Sequence, residues 1–163
     1  MRADFSIRAY RSADGVSLRD CIAELQDAER EIDGRLRPGR SIASDYQDRM
    51  LDECRRYAGE IFVLEIDGAI AGFTTVYCRV PFERLDEPSG DYAIVAELLV
   101  REAHRRRGYA RALLSHAERF AGTQGASELR IGVLSENAPA RALYLDAGFR
   151  PYIETLSKSL PTT

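Results

Sequence analysis

Val100-Arg101-Glu102-Ala103-His104-Arg105-Arg106-Arg107-Gly108-Tyr109-Ala110 is the stretch on which the reading of this chain turns. Upstream of it, residues 92–100 form a nearly continuous apolar run, the pattern of a central strand. Downstream, Ala110, Leu113, Leu114, Ala117, Phe120 and Ala121 recur at helical spacing. A strand, a basic glycine-bearing turn and a helix, in that order, bring backbone N–H groups together at a helix N-terminus, where the helix dipole favours an anion. Three consecutive arginines stand beside those amides, so the turn is a cradle suited to a pyrophosphate group.

Composition narrows the partners of that cradle. The chain has 163 residues, 45% hydrophobic and 30% charged, which is ordinary for one globular domain spanning 1–163. The net charge of −3 argues against a general nucleic-acid binder, so the arginines are a local positive spot on a mildly acidic protein. A small anionic ligand suits such a spot better than a polyanion. Cys21, Cys54 and Cys78 lie far apart, within apolar patterns and without CxxC spacing, and read as buried reduced thiols. The opening residues lack the apolar core of a signal peptide, and no run approaches the ~20 apolar residues that span a bilayer, so a cytoplasmic protein with no membrane partner is expected.

Working outward, residues 5–10 read as a first strand. Leu18, Cys21, Ile22, Leu25 and Ile32 mark a first helix, capped either by Ser17 with Asp20 or by Asp14. Pro38-Gly39 breaks the pattern, and Ile42, Tyr46, Met50, Cys54 and Tyr57 mark a second helix. Residues 61–66 and 69–80 form a hairpin about Asp67-Gly68, a pair that supplies the positive φ angles of a two-residue turn. A polar loop at 81–90 leads to the central strand. Beyond the arginine turn, Gly122 and Gly125 end the third helix, residues 128–134 make another strand, and Asn137, Pro139 and Gly148 frame a fourth helix. Residues 149–160 are expected as a last strand. The order β-α-α-β-β-β-α-β-α-β indicates an α/β protein with a mixed sheet.

The stretch 98–110 resembles the acetyl-CoA signature of the GNAT superfamily of N-acetyltransferases, which ends in Arg/Gln-x-x-Gly-x-Gly/Ala; Arg105, Gly108 and Ala110 meet it. A second signature follows at the expected distance: Asn137, Ala140, Leu143 and Tyr144, then Gly148-Phe149, resemble the family's Asn-x-x-Ala-x-x-Leu-Tyr…Gly-Phe helix. Glu102 departs from the pattern, since many members carry proline there. The resemblance implies a GNAT-like fold: a single domain with a mixed, mostly antiparallel sheet and a splayed strand pair. It implies acetyl-CoA as co-substrate; no metal is expected, because neither His104 nor His116 has a metal-ligand partner nearby in sequence. The backbone of Leu98, Leu99 and Val100 would then pair with the pantetheine arm. The amides from Arg105 through Arg106, Arg107, Gly108 and Tyr109 to Ala110 would hold the pyrophosphate, and Asn137 and Tyr144 would complete the donor site.

Two residues carry the expected chemistry. By resemblance Tyr144 is the general acid that protonates the departing thiolate, against the plain alternative of a core tyrosine. Glu97 is a carboxylate inside an apolar strand, costly unless it is paired or faces a cleft. Some family members use a glutamate on this strand as general base, and an amine must lose a proton to attack; a structural carboxylate is the competing reading. His104 and His116 read as surface residues without metal-ligand partners. Glu83, Asp86, Glu87 and Asp91 form an acidic loop that could cover the acceptor site.

The expected activity is direct transfer of acetyl from acetyl-CoA to a primary amine, of a small molecule or a protein, in a ternary complex. The alternative is a non-catalytic acyl-CoA sensor on the same fold, which would need neither Tyr144 nor Glu97. A nucleotide-phosphate binder lacks both the Walker and the Rossmann glycine patterns. Family members are often dimers, and a homodimer is the oligomer the resemblance allows.

Overall fold

The structure is a computed structural model and describes residues 4–161. Its elements are β1 (Phe5–Ala9), α1 (Gly15–Ile32), α2 (Ala43–Arg56), β2 (Glu60–Ile66), β3 (Ala69–Pro81), β4 (Asp91–Val100), α3 (Tyr109–Thr123), β5 (Leu129–Ile131) and α4 (Ala138–Asp146). One five-stranded sheet has the order β1-β2-β3-β4-β5, antiparallel except for the parallel β4–β5 pair. The β2–β3 hairpin closes through Asp67 and Gly68 with φ of 49° and 79°. No helix among the described residues is long and apolar enough to cross a membrane.

The two faces of the sheet are covered by different helices. Leu18, Cys21 and Ile22 of α1 and Met50 of α2 pack on Ile61, Val63, Phe73 and Leu99. On the other face Leu114, Ala117 and Ala121 of α3 meet Phe62, Val76 and Val95, while Tyr109 and Leu113 meet Leu64, Ile66 and Val100. The strands are therefore apolar on both sides, which is why β2 to β4 read as continuous runs rather than alternating ones.

A bulge in β4 sets the geometry of everything that follows. Thr75 pairs with Glu97 but Val76 pairs with Val95, so Ala96 has no partner on β3. Side chains alternate along a strand, and an extra residue inverts that alternation. Ala93 and Val95 accordingly face α3, whereas Glu97 and Leu99 share the opposite face with Thr75 and Phe73. The bulge is what turns Glu97 towards α1 and α2.

Several local expectations are corrected. Residues 149–160 form no strand: they run as exposed coil, with Tyr152, Ile153, Leu156 and Leu160 all largely solvent-accessible. Tyr152, Glu154, Leu156, Lys158 and Leu160 mix apolar and charged groups on one side, so the segment offers no apolar face to bury. β5 is only three residues long, because the chain leaves the ladder at Gly132. Ser17 and Asp20 lie inside α1 rather than capping it; Asp14 precedes the helix, and its carboxylate accepts from the Arg11 amide at 2.8 Å and from Arg8. Gly122 lies within α3, and Gly125, at φ 83°, takes the turn beyond its end.

Candidate active site

β4 and β5 run together only over Ala93–Leu129, Ile94–Arg130 and Val95–Ile131. Beyond that point the bulge at Ala96 bends β4 one way while Gly132 carries the chain the other. A cleft opens between them, floored by Phe73 and walled by Glu97 and Leu98 on one side and Tyr144 of α4 on the other. Along β4 the hydrogen bonds alternate. The Arg101 amide donates to the Ala71 carbonyl at 2.9 Å, so with Gly72 opposite Val100 and Phe73 opposite Leu99, the Leu99 amide belongs to the β3 ladder. Leu98 and Val100 then direct their N–H and C=O groups away from β3, along the cleft edge.

That edge runs into the arginine turn. Gly108 precedes α3 at φ 85°, a left-handed conformation costly for a residue with a side chain, and its missing Cβ faces open space. Among the described residues, the amides of Arg106, Arg107, Gly108, Tyr109 and Ala110 donate to no backbone carbonyl. They form the open positive end of α3. The three arginines do not act alike. Arg105 folds back, its Nε donating to the Val100 carbonyl at 3.0 Å and its guanidinium lying 3.5 Å from Glu24 Oε1. Arg106 and Arg107 are exposed and have no ion pair among the described residues. Tyr109 contributes only its backbone, because its ring is buried edge-on against Phe5.

Glu97 is 8% exposed. Its Oε1 accepts from the Tyr46 hydroxyl at 2.8 Å, while Oε2 is buried with no partner. Burial, opposed by the Tyr46 hydrogen bond and by the neighbouring Thr75 hydroxyl and reinforced by the charges of Glu53 and Glu29, pushes the carboxyl up to about 7. Tyr46 is itself pushed up, first by burial and then by the Glu97 charge. Tyr144 lines the cleft with its ring against Phe149, 6.2 Å between centroids, and burial raises its phenol to about 12. Asn137 caps α4, its Oδ1 accepting from the Ala140 amide at 3.3 Å.

The model for the acetyltransferase (GNAT) family matches residues 22–149. The chain belongs to that family. Streptothricin acetyltransferase of Streptomyces lavendulae is 35% identical over 83 residues, which are 51% of this chain and 40% of that protein, so the match spans well under half of the relative. Among solved structures, aminoglycoside N-acetyltransferase AAC(6')-Iy in complex with CoA superposes with a TM-score of 0.75 at 15% identity, covering 99% of this chain and 98% of the other. A GCN5-related N-acetyltransferase from Ralstonia eutropha gives a TM-score of 0.73 at 18% identity, over 96% of this chain and 99% of that one. At such identities these structures share the fold.

In this GNAT chain the structure brings Leu98, Glu97, Asn137 and Tyr144 to one cleft, with Val100 and then the amides of residues 106–110 following along the β4 edge. His116 is half-buried against the Phe62 ring, with centroids 4.4 Å apart, and burial lowers its pKa. Three of the four acids expected around the acceptor site are paired: Asp86 of the loop with Arg84 at 2.6 Å, Glu87 with Arg130 at 3.9 Å, and Asp91 at the start of β4 with Arg79 at 3.7 Å. Burial pushes the Cys54 and Cys78 thiols up to about 12 and 11, leaving them protonated at neutral pH. Sequence reasoning placed Tyr46 only in an apolar stripe and passed over Glu29 altogether. A signal for Tyr46 existed: a tyrosine facing a core needs a partner for its hydroxyl, and Glu97 needs a donor.

Proposed function

We propose that the protein transfers the acetyl group of acetyl-CoA directly to a primary amine, both substrates meeting in the cleft between β4 and β5. The observation that carries this reading is the outer edge of β4, where Leu98 and the Val100 N–H point away from β3, running on to the amides of residues 106–110 that donate to no backbone carbonyl, with Glu97 and Tyr144 facing one cleft beside it. An edge of alternating N–H and C=O groups accepts an amide-bearing arm as an added strand. The open start of α3, with Arg106 and Arg107 beside it, accepts a diphosphate. Arg105 holds the Val100 carbonyl and shapes the edge instead of touching phosphate. The thioester supplies an activated acyl carbon; the Val100 amide donates to the carbonyl oxygen as its charge develops.

Proton traffic follows from the two titrating groups. Glu97, poised near 7, takes a proton from the acceptor ammonium, and the freed nitrogen lone pair forms the new C–N bond. The C–S bond breaks, and Tyr144 gives the departing sulfur a proton. At about 12 its phenol stays protonated at neutral pH, as an acid must. Neither step needs a cysteine nucleophile. The test is thiol release across a panel of primary amines, with acetyl-CoA binding measured in parallel by calorimetry. Amine-dependent release is expected; binding without release on any amine would support the sensor reading instead.

A further inference from the structure

The cleft contains an acid that donor binding and proton transfer leave unused. Glu29 lies one turn from the C-terminal end of α1, half-buried, and lines the cleft together with Glu97. Every other acid that is not fully exposed has a partner. Asp14 and Glu65 hold Arg8, Glu24 takes the Glu102 amide, Asp33 takes Arg35, Glu53 takes Arg49, Glu60 accepts from the Ile61 amide, Glu87 faces Arg130, and Glu97 accepts from Tyr46. Glu29 alone among these has neither ion pair nor side-chain hydrogen bond to any described residue.

Two further observations point the same way. Among the described residues no lysine or arginine lines the cleft, so none of them answers its two carboxylates with a cation. Arg49 on α2, whose charge acts on Tyr46, is 75% exposed and bound to Glu53 at 2.9 Å. The Oε2 atom of Glu97 is likewise buried without a partner. The Glu29 charge also acts on Glu97, Tyr46 and Tyr144 alike, which places it within electrostatic range of all three. Two carboxylates left short of partners in one part-desolvated cleft are costly alone and favourable with a dication between them.

We propose that the amine acceptor carries a second cationic group, bound by Glu29 while Glu97 faces the reacting nitrogen. This rests on the transfer reading for the cleft and adds the class of acceptor: a diamine or polyamine-like molecule rather than a simple monoamine. Glu29 sets specificity and takes no part in proton transfer.

The test compares α,ω-diaminoalkanes with monoaminoalkanes of matching length at saturating acetyl-CoA. The wild type is expected to favour the best diamine by about tenfold or more in kcat/KM, the range of one charge-assisted contact. Glu29→Gln should raise the KM for the diamine by that factor, with kcat, monoamine kinetics and the KM for acetyl-CoA little changed; Glu29→Asp should restore part of the difference. Equal use of diamine and monoamine by the wild type, or a Glu29→Gln variant with unaltered diamine KM, would overturn the inference while leaving acetyl transfer standing. Absence of thiol release from every amine would instead sink the transfer reading. In that case diamine titration into the protein–CoA complex still decides the role of Glu29: weaker binding in Glu29→Gln supports it, and equal binding overturns it.

Discussion

Glu97 sits where three demands meet: it is buried, it has a phenol on one oxygen, and its other oxygen is free. Acting as the base, it must be ionised, so kcat/KM for the amine should rise with pH through about 7. Glu97→Gln should lower kcat/KM by about 10²–10⁴ and flatten that limb, the usual range for loss of a general base. A variant that keeps the limb would rule the role out. Tyr46→Phe tests the same residue from its partner's side. The Tyr46 hydroxyl donates to the charged carboxylate and holds the pKa down, so its removal should move the inflection to higher pH, with acetyl-CoA binding unchanged. An inflection that stays put or moves lower would mean that Glu97 is not the titrating group.

At the scale of elements, the β4 bulge and the turn into α3 do most of the arranging. Gly108→Ala meets no steric neighbour, yet it places a side chain at φ 85°. The expected cost is about 1 kcal/mol of stability and a several-fold weaker Kd for acetyl-CoA, with amine KM unaffected; calorimetry and chemical denaturation read the two separately. Most elements were legible because their signals are local: Asp67-Gly68 for the hairpin, Asn137 and Pro139 for the start of α4, and the stripe from Leu113 to Ala121 for α3. The bulge at Ala96 was not. Nothing in an apolar run marks which residue is skipped, because register is decided by the neighbouring strand. The fate of residues 149–160 was illegible for a related reason: strand propensity without a partner edge or an apolar face leaves coil.

For the molecule as a whole, the site carries a stability cost that depends on pH. The native state holds a proton on Glu97 up to about 7, whereas the unfolded chain releases it near 4.5, so folding is favoured less as pH rises between those values. The shift corresponds to on the order of 3 kcal/mol. Glu97→Gln should therefore gain stability relative to wild type at pH 8 compared with pH 5, seen as a Tm difference that widens with pH; a pH-independent difference would show that the carboxyl is not strained by burial. The cleft's location was legible from two signatures in the sequence, but its acceptor side was not, since Tyr46 and Glu29 are brought to it by packing of α1 and α2 on the sheet. The claim that joins all of this is that acetyl-CoA lies along the outer edge of β4 and ends on the turn before α3. Amide hydrogen exchange with and without acetyl-CoA tests that claim most directly. Slowed exchange is expected at Leu98, Val100 and residues 106–110; unchanged exchange there, or protection confined to another part of the sheet, would mean that the donor binds elsewhere.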